Sequence, residues 1–382
     1  MPGSAQMALP RRAFQSAAAL AAIAALGFTS TLFAQRAPAR SAVPPQLGDR
    51  DFWQLTTMLS EPGGSFGAEN LVSNEVGYLH VFPELANRSH GGAYIGVGPE
   101  QNFTYIANLR PEVAFVIDLR RENRDLHLLY RALFELAHDR AEFVSLLFSL
   151  PRPRGLTTAS TVGTIFSVFE GAKKSEPAHR ANLERVMAWL RTSKQWPLSG
   201  EEERGIEEIY GKFFHFGPGI SYASTLGGGP IDMYRLLRKP PGAYEMLMQA
   251  RDRRGELRSF LSTEERFQIV RALQLKNLVV PVVGDFAGSK ALRGIGEWLR
   301  GRGLTVSTFY LSNVQDYLRQ NGTWDAFCRN VASLPQDAGS QFISSSTATV
   351  PPRPQVGTSW TGTLDALTRP CRFAISGIDR SI

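Results

Sequence analysis

Residues 91–120 read GGAYIGVGPEQNFTYIANLRPEVAFVIDLR, and this stretch decides the fold. Ala93–Val97 is a short apolar run that predicts a buried β-strand. Gly96 and Gly98 predict a turn in which the missing Cβ lets a ligand or a helix approach closely. Gln101–Leu109 then predicts a helix whose N-terminal amides point toward whatever lies over the turn.

A second buried strand follows at Val113–Ile117, and Asp118 stands at its carboxyl end. In Rossmann-type folds an acid at this place hydrogen-bonds the ribose of a nucleotide-like ligand, about twenty residues after the glycines. The segment GVGPEQN lacks the third glycine of GxGxxG. The stretch therefore predicts either a nucleotide pocket or a plain buried βαβ unit.

Strands and helices also alternate in the C-terminal half. Leu278–Val283 is a continuous apolar run typical of a parallel strand covered on both faces. A periodic helix over Ser289–Arg302 and a strand at Thr305–Phe309 follow, and further strands are expected at Gln341–Ser345 and Arg372–Ser376. The sequence predicts an α/β fold: a Rossmann-like, mostly parallel sheet with helices on both faces.

The organisation along the chain follows from these patterns. Residues 51–382 are expected to form one α/β domain. Between its strands lies a helical stretch far longer than a crossover needs, which we interpret as a large helical insertion at about 150–260. Residues 35–50 include a proline-rich segment and are expected to form a flexible lead-in.

Residues 1–34 resemble an export signal, with Arg11 and Arg12 before an apolar, alanine-rich run at Ser16–Phe33. Pro10–Phe14 also resembles a twin-arginine signal. An uncleaved membrane anchor is the alternative, but the run barely reaches spanning length. We expect an exported protein, periplasmic or secreted, with no stable membrane insertion after signal cleavage.

Composition excludes several function classes. The formal charge of +7 falls by two to +5 when residues 1–34 are removed, and no basic stripe is interleaved with aromatics, so we expect no nucleic-acid partner. The six histidines are scattered and no HExxH is present, which argues against a metal site. No GxSxG elbow is present either.

Polar residues are expected at the carboxyl ends of the strands. Asp285 follows one buried strand and Asn313 follows the next. In an open α/β sheet these ends meet at one rim, so Asp118, Asp285 and Asn313 should converge with the glycine turn. The alternative is that polar residues collect there because the backbone turns.

A polar segment lies just upstream of the first strand. It contains Glu69, Asn70, Asn74 and Glu75, which could face a ligand in the crevice or serve only as caps and turn residues.

The only two cysteines, Cys328 and Cys371, form a disulfide if the chain is exported, or remain separate buried thiols.

Four blocks carry a resemblance: YIGVGPEQNFTYIA, VAFVIDLRRENRDLHLLYRALFELA, NLVVPVVGDFAGSKAL and STFYLSNVQDYL. Together they resemble an uncharacterised bacterial protein family whose members look like S-adenosylmethionine-dependent methyltransferases in fold. The resemblance implies S-adenosylmethionine as cofactor and a small-molecule ligand as partner.

The resemblance also implies roles for single residues. Gly96, Gly98, Glu100, Asn102 and Asp118 would bind the cofactor.

Asp285 would lie near the adenine, and Tyr310, Ser312 and Asn313 would form the catalytic loop. That loop reads YLSN here and not the D/N-P-P-Y/F of amino-methylating enzymes.

The sequence thus leads to three functional hypotheses. The first is a methyltransferase-like enzyme that uses the rim pocket. The second is a non-catalytic periplasmic protein that binds another small ligand on the same fold. The third is a hydrolytic enzyme with Asp285 or Glu69 as general base. Export favours the second and third, because S-adenosylmethionine is made in the cytoplasm.

Overall fold

The computed structural model describes residues 43–85, 91–225, 242–345, 359–364 and 366–367. The predicted export signal and the strand predicted at Arg372–Ser376 lie outside these residues. The described part is an α/β fold around one mostly parallel six-stranded sheet. Its strands are β1 Ala93–Val97, β2 Val113–Asp118, β3 Val279–Val283, β4 Val306–Tyr310, β5 Gln341–Ser345 and β6 Ser359–Thr363.

The strand order is β3-β2-β1-β4-β5-β6. All neighbouring strands are parallel except β5 and β6, which pair antiparallel. The order of the first five strands is that of doubly wound nucleotide-binding folds. The chain leaves β1 in one direction toward β2 and β3 and returns across it to β4. The switch point of the topology therefore lies between β1 and β4.

Helices accompany the sheet along the whole described chain. They are α1 Asp49–Leu59, α2 Phe82–Leu85, α3 Gln101–Leu109, α4 Arg121–Leu136, α5 Arg140–Leu147, α6 Val162–Phe169, α7 Glu176–Ala188, α8 Gly200–Phe216, α9 Tyr244–Gln249, α10 Glu264–Leu275, α11 Ala291–Arg300, α12 Val314–Gln320 and α13 Trp324–Ala332.

These helices cover both faces of the sheet. Helix α10 packs on α3 and α4, and helix α11 packs on α1 and α13. Right-handed crossovers that run in opposite directions from the switch point place their helices on opposite faces. Every residue of β2 and β3 is accordingly buried, which explains why these strands read as unbroken apolar runs.

The helical region between β2 and β3 packs onto α4. Helices α7 and α8 both contact α4, and Lys212 of α8 forms an ion pair with Glu69 ahead of the sheet. Ser149 lies in the left-handed region at φ +49° just after α5. Its hydroxyl contacts His179 Nδ1 at 3.1 Å and the Tyr210 hydroxyl at 3.0 Å, which ties α5 to α7 and α8.

The sequence did not predict β6. Its residues SWTGT contain no apolar run, and only Ser359 is fully buried. The strand exists because it pairs with β5 in five registered positions, from Gln341↔Thr363 to Ser345↔Ser359.

Candidate functional site

A cleft of about 260 Å³ lies at the carboxyl edge of the parallel strands. Gly98 after β1, Asp118 at the end of β2, Asp285 after β3, and Ser312 with Asn313 after β4 all line it. The structure therefore brings together the residues that the strand-end argument predicted. The volume of the cleft is close to the lower limit of small-molecule sites, about 300 Å³.

The turn after β1 is held by hydrogen bonds from the side chain of Asn102. The Asn102 side-chain amide donates to the carbonyls of Val97 (3.0 Å), Gly98 (3.1 Å) and Pro99 (2.8 Å), and its Oδ1 accepts from the Tyr94 hydroxyl at 2.8 Å. Asn102 is fully buried and does not line the cleft. Its geometry gives it a structural role, unlike the cofactor contact implied by the resemblance.

The two glycines of the turn have different roles. A Cβ on Gly96 would overlap Asn102 Oδ1 and lie 2.7 Å from the Tyr94 hydroxyl, so Gly96 makes room for this buried pair and does not line the cleft. Gly98 lines the cleft and has φ +78°, a conformation that L side chains rarely adopt. Only Gly98 is placed to let a ligand approach the backbone.

Asp118 forms a bidentate ion pair with Arg120. Arg120 Nη2 lies 2.9 Å from Asp118 Oδ2 and Arg120 Nε lies 3.0 Å from Oδ1, which also accepts from the Arg120 backbone N–H. Arg120 Nη1 additionally donates to the carbonyl of Glu69. Both side chains line the cleft. Arg120 was not predicted as a site residue, although its place two residues after a strand-end acid was the available signal.

Glu75 is the most highly connected polar residue of the cleft wall. The residue is 4% exposed, and its carboxylate accepts five side-chain hydrogen bonds. The donors come from α3, β4 and the residues after it, β5 and β6: Gln101, Tyr310, Ser312, Ser345 and Ser359. One acid therefore joins the segment before β1 to both sides of the switch point.

The predicted catalytic loop is built around this acid. The Tyr310 hydroxyl donates to Glu75 at 2.8 Å and is buried, and burial raises the pKa of Tyr310 well above its usual value, with the Glu75 charge adding to it. Ser312 lies in the left-handed region at φ +50° and also donates to Glu75. Asn313 is half-buried and lines the cleft, and its Oδ1 lies 3.3 Å from the Ser312 hydroxyl oxygen.

Asp285 stands beside a helix N-terminus that already holds an anion. Glu61 accepts hydrogen bonds from the backbone N–H of Asp285 (3.2 Å), in the turn after β3, and from those of Lys290 (2.6 Å) and Ala291 (3.0 Å) at the start of α11. A carboxylate thus occupies the place where a phosphate loop would bind phosphate. Asp285 Oδ1 accepts from Ala287 N–H at 2.8 Å and caps the turn.

Only some of the predicted polar residues ahead of β1 line the cleft. Asn70, Asn74 and Glu75 line the cleft, and Asn70 is in the left-handed region at φ +50°. Glu69 does not line it, because its carboxylate is paired with Lys212. Glu69 is therefore badly placed for the general-base role that the hydrolytic hypothesis gave it.

Glu100 is buried behind the turn and does not line the cleft. Its Oε1 accepts from the Ser73 N–H at 3.3 Å, and burial raises the pKa of Glu100 to about 7. His127 of α4 is also fully buried, and its Nε2 lies 2.9 Å from the Gly98 carbonyl. Since a carbonyl only accepts, Nε2 carries the proton, and burial lowers the pKa of His127 to about 4.

Three aromatic side chains flank the mouth of the cleft: Phe66, Tyr222 and Tyr317. The Phe66 and Tyr317 rings meet edge to face at 5.2 Å, and each is more than a third exposed. Tyr222 comes from the helical region predicted as an insertion, so that region supplies part of the cleft. None of the three was singled out in the sequence, because isolated aromatics in loops give no periodic signal.

The lining carries more acid than base. Glu75, Asp118 and Asp285 line the cleft, and Arg120 is the single basic residue among the described residues that line it. In the described part of the chain no cluster of three or more His, Cys, Asp and Glu residues could hold a metal ion.

Cys328 is buried in α13, and Cys371, its predicted disulfide partner, lies outside the described residues.

Among the described residues no helix has the length and apolarity of a membrane span.

Fold and cleft together define an α/β protein with a cleft at the switch point of a mostly parallel sheet. The chain belongs to the family described as Domain of unknown function (DUF7790), which matches residues 70–153 and 237–366. The matched segments carry the glycine turn, Glu75, Asp118, Asp285 and the loop after β4. The unmatched residues between them fall in the predicted insertion. No curated protein matches the chain.

Proposed function

We propose that the cleft binds S-adenosylmethionine and that the chain is a methyltransferase-like protein. The observation that carries this proposal is the meeting of Gly98, Asp118, Asp285 and Asn313 in one cleft at the switch point. The left-handed Gly98 allows close approach of a ligand to the backbone. Asp118 Oδ2 accepts from Arg120 Nη2, and a carboxylate oxygen with two lone pairs can also accept from a ribose hydroxyl.

The charge of the lining supports a cationic ligand over a phosphorylated one. The lining holds three acids and one arginine, and that arginine is already paired with Asp118. The N-terminus of α11, which could have bound a phosphate, holds the Glu61 carboxylate. A sulfonium ion would be attracted to this lining, whereas a dinucleotide with its pyrophosphate would be repelled.

S-adenosylmethionine would supply an activated methyl group, and the chain would supply alignment. Methyl transfer needs the donor and the nucleophile held in line more than it needs proton transfer. Glu75 fixes Ser312 and thereby the backbone that carries Asn313, so the amide of Asn313 is presented at a defined place. Aromatic rings at Phe66, Tyr222 and Tyr317 would flank a planar base or acceptor at the mouth.

A non-catalytic ligand-binding protein is the second candidate. Glu75 favours this candidate, because its carboxylate is fully engaged with neighbouring hydrogen-bond donors. It is therefore not free to act on a substrate. This candidate also agrees with the predicted export signal. Both candidates use the same cleft and differ in whether bound ligand reacts.

The test is a calorimetric titration of the full chain with S-adenosylmethionine, S-adenosylhomocysteine and NAD. We expect both adenosyl ligands to bind, NAD to fail, and salt to weaken the sulfonium more than the neutral thioether. Asp285→Asn and Asn313→Ala should each lower the affinity at least tenfold. Glu69→Ala, next to the cleft segment but outside the lining, is the matched control and should bind normally. A folded protein that binds neither adenosyl ligand would refute the proposal.

A further inference from the structure

Glu75 is a buried acid in the cleft wall whose five hydrogen-bond donors are all neutral. The donors are one amide and four hydroxyls, those of Gln101, Tyr310, Ser312, Ser345 and Ser359. Glu75 accepts in all five bonds, as an ionised carboxylate does, because a protonated one would also have to donate. Neutral donors of this kind stabilise a negative charge without cancelling it.

Within the described lining of the cleft, no cation is paired with Glu75. Arg120 is the single basic residue of that lining, and its Nε and Nη2 are both bonded to Asp118. Its Nη1 donates to the carbonyl of Glu69. Because Glu75 is 4% exposed, little water screens its charge, so a positively charged ligand group beside it would be attracted.

The strand order indicates which part of the ligand would lie beside Glu75. In the proposed function, adenine lies near Asp285 after β3 and the ribose contacts Asp118 at the end of β2. The sheet continues from β2 to β1 and then to β4, so the rest of the ligand would extend toward those two strands. Glu75 lies at that end of the cleft, since it accepts from Gln101 at the start of α3 and from Tyr310 at the end of β4.

We infer that Glu75 makes the β1–β4 end of the cleft a subsite for a positively charged group, a sulfonium or an ammonium. Glu75 is then the residue that selects a charged adenosyl ligand over a neutral one. This inference rests on the proposed function, because the adenosine is what directs the charged group toward Glu75. The carboxylate acts through its charge and needs no free lone pair, and its five bonds hold that charge at a fixed place.

Three ligands that share the adenosine test this role. S-adenosylmethionine carries a sulfonium and an ammonium, S-adenosylhomocysteine carries only the ammonium, and methylthioadenosine carries neither. In calorimetric titrations of the full chain, Glu75→Gln should lower the affinity for S-adenosylmethionine about tenfold and that for methylthioadenosine less than about twofold. A matching loss for S-adenosylhomocysteine would identify the ammonium as the group beside Glu75, and a smaller loss would identify the sulfonium.

The ratio of the affinities separates this role from a purely structural one. A partly unfolded variant would bind all three ligands more weakly by the same factor. Equal losses for S-adenosylmethionine and methylthioadenosine would therefore overturn the inference.

Two further variants serve as controls. Glu84→Gln removes the same charge from an exposed side chain and should leave all three affinities unchanged. Asp285→Asn removes a charge at the other end of the lining and should weaken the three ligands by a similar factor. If Asp285→Asn instead changed the ratio as much as Glu75→Gln, the selection would belong to the whole lining, which would overturn the assignment to Glu75.

Titrations of the unaltered chain test the inference even where Glu75→Gln fails to fold. We expect S-adenosylmethionine to bind more tightly than methylthioadenosine, with an advantage that shrinks as the salt concentration rises. Equal affinities at low salt would overturn the inference and leave an adenosine-binding cleft in place. A folded chain that binds none of the three ligands would instead refute the proposed function, and this inference with it.

Discussion

Asp118 and Arg120 stand two residues apart at the end of β2 and close a bidentate ion pair at the wall of the cleft. Both are nearly fully buried, at 6% and 5% exposure. Removing one partner of such a pair leaves an uncompensated charge in a poorly solvated place. The acid that a ribose would contact is therefore also a stabilising element of the fold.

The first prediction concerns this pair. Asp118→Ala and Arg120→Ala should each lower the free energy of unfolding by about 3–5 kcal/mol, and the double variant should lose clearly less than the sum. Urea unfolding of the three variants measures this. Arg110→Ala is the control, because its ion pair with Glu265 is mostly exposed and should contribute under about 1 kcal/mol. Additive losses would contradict the coupling.

This result would also decide how ligand binding should be tested. Loss of affinity in Asp118→Ala has two causes, the missing carboxylate and the unpaired arginine. Asn313→Ala is the cleaner variant, because Asn313 is half-buried and holds no ion pair.

The second prediction concerns Glu75. In Glu75→Gln one carboxylate oxygen becomes an amide donor that faces donors from Tyr310, Ser312 or Ser345. We expect a loss of about 2–3 kcal/mol in the free energy of unfolding, since charge-assisted bonds are replaced by a donor–donor conflict. The control is Glu84→Gln, because Glu84 is exposed and its Oε1 lies 3.8 Å from Arg253 Nη1. This variant should change the free energy of unfolding little. Equal free energies of unfolding for the two variants would show that the hydrogen bonds to Glu75 do not stabilise the fold.

The outline of the fold was predictable because local signals encode it. The runs at Ala93–Val97 and Leu278–Val283 are apolar since both faces of those strands are covered. Strand ends then fix which polar residues share a rim, so Asp118, Asp285 and Asn313 could be placed together from sequence. These inferences need only the strand order and the direction of each strand.

The interior of the site was not predictable in the same way. Glu75 meets Ser345 and Ser359 across 270 and 284 residues, and no local pattern links positions so far apart. Strand β6 depends on the same long-range pairing. Conversely, the resemblance implied that Asn102 contacts the cofactor. Its actual role, holding three carbonyls of the turn, depends on a side-chain direction that spacing does not reveal.

The third prediction separates the glycines by their surroundings. Gly96→Ala should lower the free energy of unfolding by about 1–3 kcal/mol, because the new methyl group overlaps Asn102 Oδ1 in a fully packed strand. Gly67→Ala is the matched control: nothing lies within 4 Å of its added Cβ, and its φ is not in the left-handed region. Chemical denaturation of both variants measures the difference. Comparable free energies of unfolding for the two variants would mean that the Asn102 side chain can shift without loss of stability.

The fourth prediction concerns Glu100 and His127, two buried groups whose pKa values are shifted in opposite directions. Burial raises the pKa of Glu100 from 4.5 to about 7, so its neutral form is favoured in the folded protein. Its contribution to stability is present below pH 4.5 and is lost as the pH rises to 7. Burial lowers the pKa of His127 from 6.5 to about 4, so its contribution is present above pH 6.5 and is lost as the pH falls to 4.

Each shift corresponds to about 3 kcal/mol, and between pH 4.5 and 6.5 the two slopes oppose each other. Glu100→Gln should therefore gain stability relative to the unaltered chain as the pH rises from 4.5 to 7. His127→Gln, whose amide can still donate to the Gly98 carbonyl, should gain relative stability as the pH falls from 6.5 to 4. Urea unfolding across this range measures both differences, in which the contributions of other groups such as Asp125 cancel. A variant whose curve runs parallel to that of the unaltered chain would show that its group titrates normally in the fold.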